Sequence, residues 1–277
     1  MFTWLTKAIS ERIIAFLEKS SDRYQTFSIT DAETLRRCLQ PGDILLVEGN
    51  KRISDIIKYL TQSTWSHAAF YIGEEAAKDL EPERETEPIN LFIEAHAKKG
   101  VITTPLSSYA SFNTRICRPV GLTDEDRQRL VGFMVKSLGK NYDVRNVVDL
   151  MRFLIPHPPV PVRWRRRMLA LGSGDPTRAI CSTLIAQAFQ SVRYPILPDI
   201  EIVRRKGPDA RRLEREILHI RHHSLFTPRD FDVSPYFAII KPTLESGFDY
   251  RNLEWHSAPS EGSFLKDGKP QEPERQV

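Results

Sequence analysis

The chain has 277 residues, of which 40% are apolar and 27% charged, and its formal net charge is only +4. This composition is that of a soluble globular protein with one large domain, or one domain with appendages, and it points to no class of partner. A chain of this length buries a core without help from disulfides or metals. Its cysteines, Cys38, Cys117 and Cys181, are too few and too widely spaced for a disulfide framework or a structural zinc site.

The N-terminal segment predicts an amphipathic helix over residues 2–19. Its apolar residues recur at helical spacing: Phe2, Leu5, Ile9, Ile13, Phe16 and Leu17. Charged residues interrupt it too early for the apolar core of a signal peptide, and the sequence has no apolar run of transmembrane length. We therefore expect a cytoplasmic protein whose first helix either packs on the domain or lies on the inner face of a membrane.

Three parts are predicted along the chain. Residues 1–29 form the N-terminal helix and a linker, and residues 30–256 form the main domain. Residues 257–277 are rich in Pro, Glu, Gly and Lys, which is typical of a disordered tail. The main domain carries two basic insertions, at 156–178 and 200–226.

The main domain is predicted to be α+β, with a small antiparallel sheet and flanking helices. Helices are expected near Thr30 and at 53–60, 123–138 and 181–192. The acidic, proline-containing segment 74–90 is expected to be a loop. Strands are expected at 44–47, 66–72, 91–97, 100–103, 114–119 and 237–240.

Cys181 begins a predicted helix whose inner face carries Leu184, Ile185 and Ala188. The free N–H groups and partial positive charge of a helix N-terminus stabilise a thiolate and can hold an oxyanion. The sequence therefore makes Cys181 a candidate nucleophile. A small buried residue at a helix start is the alternative interpretation.

His67 is the candidate general base for that nucleophile. Strand alternation puts His67, Ala69 and Tyr71 on one face, and the small Ala69 leaves room beside the imidazole. A cysteine nucleophile needs such a base, together with a third group that orients it. A structural histidine is the alternative.

Glu94 is the candidate orienting group. It lies in a predicted apolar strand, between Ile93 and Ala95, where a carboxylate needs a partner or a cleft. If this strand pairs with that of His67, Glu94 can hold one ring nitrogen while the other faces Cys181. His96 is the second choice for this role, and Tyr71 is a possible supporting donor. A salt bridge with a lysine or arginine is the alternative for Glu94.

Three segments together resemble the permuted NlpC/P60 (papain-like) superfamily, in its YiiX/YebB-like branch. They are PGDILL at 41–46 with WSHAAFYIG at 65–73, FIEA at 92–95 with KGV at 99–101, and ICSTLIA at 180–186. His67 precedes Cys181, which is the order of the permuted group. A weaker similarity at 139–143, GKNYD, adds Tyr142 as a supporting candidate.

The resemblance implies a circularly permuted papain-like fold and a Cys181–His67–Glu94 triad. It also implies hydrolysis or transfer at an amide or ester bond through an acyl-enzyme, with no cofactor. The substrate, lipid or peptide, is left open. A catalytically idle membrane-binding module on the same fold is the alternative.

Basic clusters lie near the candidate nucleophile. Arg163, Arg165, Arg166 and Arg167 surround Trp164, and a second basic stretch follows at 204–221. Such clusters suit an anionic membrane surface, with nucleic acid as a less favoured ligand and a solvated basic face as the plain alternative. His219 and His223 have helical spacing, but the HExxH pattern is absent, so no metal site is expected.

Overall fold

The structure, a computed structural model, describes residues 16–17, 19–20, 28, 30–80, 91–96, 99–140, 180–204, 214–219 and 221–252, with the backbone alone at 180, 199–204, 214–219 and 224. The chain divides into two compact units, residues 1–246 and residues 247–277. In the second unit, Tyr250–Asn252 forms a 3-10 turn, and Arg251 pairs with Asp249 at 2.8 Å.

The predicted domain boundaries stay predictions. Residues 2–15 and 18 of the first predicted helix, the insertion at 156–178 and the tail at 257–277 lie outside the described residues. The described end of the first helix includes Leu17, which is buried.

Seven α-helices lie in the described part of the chain. They are α1 (Ala32–Cys38), α2 (Arg52–Thr61), α3 (Glu74–Leu80), α4 (Asp124–Val135), α5 (Ile180–Ser191), α6 (Pro228–Asp232) and α7 (Pro242–Glu245). Side chains cap several of them, because the first N–H groups of a helix have no partner within it. Asp31 accepts from the Thr34 N–H at 2.8 Å, and Thr123 accepts from the Asp126 N–H at 3.1 Å.

Six strands form an antiparallel sheet in the order β4-β3-β2-β1-β5-β8. These strands are β1 (Ile44–Val47), β2 (His67–Tyr71), β3 (Leu91–His96), β4 (Gly100–Pro105), β5 (Thr114–Pro119) and β8 (Phe237–Ile240). A separate antiparallel pair, β6 (Asp199–Arg204) and β7 (Glu214–His219), lies within the predicted insertion at 200–226 apart from its first residue. The predicted α+β class and antiparallel sheet are confirmed.

Both faces of the sheet are covered, which explains its nearly continuous apolar strands. Alternate residues of β1 and β2, such as Leu46 and Phe70, pack with the inner face of α5, where Phe189 lies edge-on to Phe70. The intervening residues, such as Leu45 and Ala69, pack with α1 and a 3-10 turn at Leu106–Tyr109. Helix α5 therefore forms the layer next to the sheet, so its N-terminal end lies in the layer adjacent to the one that contains the start of β2.

The start of β1 is fixed by a buried turn. Gly42 has a φ of +95°, which favours glycine, and Asp43 behind it is fully buried. The Asp43 carboxylate accepts from the Gln40 N–H at 2.8 Å and from the Arg118 guanidinium at 2.7 Å. This pairing satisfies a charge that would otherwise be costly to bury.

The prediction of a loop throughout 74–90 is wrong for its first part, where α3 forms. Gly73, with a φ of +87°, turns the chain after β2, and its carbonyl oxygen accepts from the Ala77 N–H at 3.2 Å. Ala77 is buried, and the acidic residues Glu74 and Glu75 occupy the first turn, where they complement the helix dipole. Residues 81–90 lie outside the described part.

Candidate active site

Cys181 is the second residue of α5 and is 5% exposed. Leu184, Ile185 and Ala188 of the same helix are buried in the core and fix the helix against the sheet. The thiol therefore lies in the first turn, among backbone N–H groups that have no partner within the helix. This location matches the one expected from the sequence.

His67 opens β2 and contacts both other members of the predicted triad. Its Nε2 hydrogen-bonds to Oε2 of Glu94, and the ring also hydrogen-bonds to the Cys181 side chain. Since Nε2 is occupied by the carboxylate, Nδ1 is the nitrogen left for the sulfur. The structure thus brings Cys181, His67 and Glu94 together in one hydrogen-bonded chain.

Sheet register explains how Glu94 reaches His67. Strands β2 and β3 pair antiparallel, with Phe70 opposite Ile93 and Tyr71 opposite Phe92. Continuing this register puts Glu94 opposite Ala69, and His67 lies two residues further along β2. The Glu94 carboxylate therefore reaches the imidazole diagonally across the two strands, past the methyl group of Ala69.

Two further residues hold Glu94, and sequence reasoning missed both. The Thr104 hydroxyl donates to Oε1 at 2.9 Å, and the Tyr109 hydroxyl donates to Oε2 at 2.7 Å. Thr104 pairs with Phe92 across the β3–β4 hairpin, on the same face as Glu94, so alternation could have found it once the register was known. Tyr109 follows in a 3-10 turn, where no periodic pattern marks it.

The ionisation of the three groups is mutually dependent. Burial raises the pKa of the Cys181 thiol, but the charge and hydrogen bond of His67 outweigh burial, and the pKa is lowered. Burial lowers the pKa of His67, yet Cys181 and Glu94 raise it well above its ordinary value. Burial opposes ionisation of Glu94, but His67, Tyr109 and Thr104 bring its pKa down to about 2. The arrangement favours a thiolate, an imidazolium and a carboxylate together.

A backbone donor adds to this preference. The N–H of Ala68, the residue after His67, hydrogen-bonds to the Cys181 sulfur and lowers the thiol pKa. The His67 side chain is 28% exposed, whereas that of Glu94 is 11% exposed. Of these two side chains, the imidazole is therefore the one in greater contact with solvent.

The thiol pKa is shifted in the opposite direction at the other two cysteines. Burial raises the pKa of the Cys117 thiol in the centre of the sheet. It also raises the pKa of Cys38 at the end of α1. Of the three cysteines, Cys181 is the one whose surroundings lower the thiol pKa and favour the thiolate.

The supporting candidates are placed elsewhere or lie outside the described residues. Tyr71 ends β2, and its pKa is raised to about 12 by burial and by the charge of Glu74. His96 ends β3 opposite Gly100, and the imidazole of His67 bonds to Glu94 instead. The remaining candidates, Tyr142, Arg163, Trp164, Arg165, Arg166 and Arg167, lie outside the described residues.

Within the described ranges, no group of three or more His, Cys, Asp or Glu side chains is placed to hold a metal ion. The side chain of His219, in β7, is not among those described, so the predicted absence of a metal site stays a prediction. No helix of the described residues combines the length and apolar character that crossing a bilayer requires.

Comparison with known proteins bears on the fold and the class. The family model described as "permuted papain-like amidase enzyme, YaeF/YiiX, C92 family" matches residues 38–152, a span that includes His67 and Glu94 and ends before Cys181. A crystal structure of the metalloprotein YiiX from Escherichia coli O157:H7 is similar at 17% identity and a TM-score of 0.42, covering 73% of this chain and 96% of that chain. No curated protein matches the sequence.

The family match defines the class as permuted papain-like. It confirms the resemblance that the motifs at 41–46, 65–73 and 92–95 predicted, and with it the circularly permuted fold. Over residues 38–152 the chain is similar to the YaeF/YiiX amidases, a family within the cysteine hydrolase class.

Proposed function

We propose that the protein is a thiol hydrolase or acyltransferase that cleaves an amide or ester bond through an acyl-enzyme on Cys181. The observation that carries the proposal is the hydrogen-bonded chain from Cys181 through His67 to Glu94, with the sulfur in the first turn of α5. A nucleophile, a base and an orienting carboxylate in this order are the parts that nucleophilic acyl chemistry needs.

Acylation begins when the Cys181 thiolate attacks the carbonyl carbon of the substrate and its π electrons move to the oxygen. The unpaired N–H groups of the first turn of α5 are the donors for this oxyanion. As the carbonyl re-forms, the bond to the leaving group breaks, and the imidazolium of His67 gives it a proton. The products of this half are a thioester on Cys181 and a free amine or alcohol.

Deacylation reverses the roles of the same groups. Neutral His67 takes a proton from water, or from an acceptor alcohol or amine, as that oxygen or nitrogen attacks the thioester. Collapse of the second tetrahedral intermediate expels the Cys181 thiolate, which restores the pair with the imidazolium that formed during the attack. Glu94 keeps the ring oriented through both halves and stabilises its positive charge.

The substrate class is proposed as an acylated lipid or a peptide. The amidase description of the matching family supports an amide, and an ester is accessible to the same nucleophile. Because deacylation accepts any nucleophile that reaches the thioester, water and a second substrate are both compatible with the site.

Labelling with an electrophilic ester or amide probe tests the assignment. Cys181→Ala is expected to abolish covalent labelling, and His67→Ala to slow it by about 10²-fold or more, since it removes the general base. Cys38→Ala and Cys117→Ala are the matched controls and should label like the wild type. Labelling that survives in Cys181→Ala and disappears in either control would reject the proposal.

We also propose that the enzyme contacts anionic membrane surfaces, at the described end of the N-terminal segment. Phe16 is 47% exposed, and the Arg52 guanidinium lies 4.2 Å from its ring centroid. Lys19 and Lys51 are exposed beside them, so an aromatic ring and several cations face solvent together.

Sedimentation with vesicles tests this contact. Binding is expected to vesicles containing phosphatidylserine, to weaken as salt rises, and to fall in Phe16→Ala together with Lys19→Ala. Leu244→Ala together with Lys241→Ala, which removes one exposed apolar side chain and one exposed lysine elsewhere, is the matched control and should bind like the wild type. Equal binding to neutral phosphatidylcholine vesicles, or binding that is indifferent to salt, would contradict the electrostatic contact.

A further inference from the structure

We propose that Tyr109, assisted by Thr104, is a positioning residue that fixes the Glu94 carboxylate in the orientation that His67 requires. The inference rests on the proposed function, because it assigns a role within the same chain of hydrogen bonds. Neither residue touches the reacting atoms. Both act through Glu94.

The two hydroxyls restrain both oxygens of the carboxylate. Thr104 donates to Oε1 at 2.9 Å, and Tyr109 donates to Oε2 at 2.7 Å, the oxygen that also meets Nε2 of His67. Rotation of the carboxylate would break at least one of these bonds in a buried setting, where an unpaired hydroxyl is costly. The orientation that remains is the one that faces the imidazole.

Packing holds the phenol itself in place. Tyr109 is 6% exposed, and its ring lies edge-on to that of Phe92 with 5.3 Å between centroids. Phe92 lies two residues before Glu94 on the same face of β3 and packs against Tyr71 at 5.2 Å. The donor and the acceptor are therefore supported by the same aromatic cluster, so neither can swing away alone.

The effect should reach Cys181. Oriented Glu94 stabilises the imidazolium of His67, and the imidazolium stabilises the thiolate. If the Tyr109 hydroxyl is removed, the carboxylate loosens, the His67–Cys181 pairing weakens, and the thiolate takes up a proton more readily. The sign follows: protonation of Cys181 on acidification should occur at a higher pH than in the wild type.

The ultraviolet absorbance of the thiolate, measured against pH and corrected with the Cys181→Ala protein, tests this without a substrate. Tyr109→Phe is expected to raise the midpoint of thiolate protonation by about 1 pH unit, the size expected for one hydrogen bond to a charged group. Thr104→Val is expected to raise it by less, since it frees the oxygen that does not meet His67. Phenylalanine keeps the ring that packs on Phe92.

Tyr194→Phe is the matched control. It also removes a hydroxyl with partners, the carbonyl oxygens of Val120 at 2.9 Å and Tyr236 at 2.6 Å, but it lies just beyond the opposite end of α5. Its midpoint should equal that of the wild type. The proposal is overturned if folded Tyr109→Phe keeps the wild-type midpoint, or if Tyr194→Phe shifts it as far. Should Tyr109→Phe not fold, an unchanged midpoint in Thr104→Val overturns it.

The outcome is separable from that of the proposed function. A wild-type protein that forms the thiolate but labels with no ester or amide probe would count against the hydrolase alone. A shifted midpoint in Tyr109→Phe would still support the positioning role in that case.

Discussion

Trp65, two residues before His67, donates its indole N–H to Asp232 in α6 at 3.1 Å. Arg115 donates to the other carboxylate oxygen at 2.6 Å, and its guanidinium lies 4.9 Å from the Trp65 ring centroid. Trp65 is 4% exposed, so this carboxylate satisfies a buried donor. The start of β2, and with it the proposed general base His67, is thus tied to a helix that follows the proposed nucleophile Cys181 in the chain.

Asp232→Ala is expected to destabilise the fold by about 1–3 kcal/mol, the cost of leaving a buried donor unpaired. The loss of the half-exposed Arg115 pair adds little. Urea unfolding measures the difference. Asp249→Ala removes an exposed pair with Arg251 and should unfold at the same urea concentration as the wild type. Equal losses in the two variants would mean that Trp65 gains nothing from Asp232.

Glu94→Gln is expected to slow probe labelling by about 10²-fold. A neutral amide no longer stabilises the imidazolium, and its NH₂ can donate to Nε2. The ring would then carry its proton on Nδ1, where it cannot accept one from Cys181. Labelling kinetics measure the effect, and Glu33→Gln on the exposed side of α1 is the control. A rate within twofold of the wild type would remove Glu94 from the mechanism.

The pH dependence of labelling should follow from the two shifted groups. The pKa of Cys181 is lowered and that of His67 is raised well above its ordinary value, so the two shifts together favour the thiolate–imidazolium pair. Labelling should fall on the acid side as the thiolate is protonated, and on the alkaline side as the imidazolium loses its proton. A rate that climbs steadily to the ordinary thiol pKa, near 8.5, would show an unperturbed cysteine.

Glu94 should also make the stability of the fold depend on pH. Its pKa is 4.5 in the reference state and about 2 in the folded protein, so the folded state holds the proton less tightly. Its stabilising contribution is therefore complete above pH 4.5 and is lost as the pH falls toward 2. Urea unfolding of the wild type and Glu94→Gln should show a difference that narrows below pH 4.5, and a constant difference would contradict the shift.

Much of the sheet could be predicted from the sequence, because its strands combine β-branched and aromatic residues with recognisable turns. Alternation alone put His67 on one face with Ala69, and Glu94 on one face with Phe92, and the two core clusters divide these strands in that way. The helix predicted at 181–192, which the structure gives as Ile180–Ser191, was equally clear, since its apolar residues keep helical spacing. Periodicity depends on local geometry, so it could predict which segments form strands and helices and which face of each is buried.

What could not be predicted depends on contacts between distant segments. Which strands pair, and in what register, decides whether Glu94 meets His67, and no local pattern contains that information. Tyr109 belongs to a 3-10 turn, and its role appears only when the β3–β4 hairpin brings it behind Glu94. Helix α3 could not be predicted because the segment 74–90 was treated as a whole. The acidic residues and prolines that follow the helix favour a loop, and the helix itself has only seven residues.

Ala69 takes no part in the chemistry, yet the chemistry depends on how small it is. It is fully buried between β1 and β3, on the face where the carboxylate crosses toward the imidazole. A larger side chain there would compete with Glu94 for the same volume. Catalytic residues are usually sought by their reactivity, whereas this position is constrained by size, because a side chain larger than a methyl group would separate the imidazole from the carboxylate.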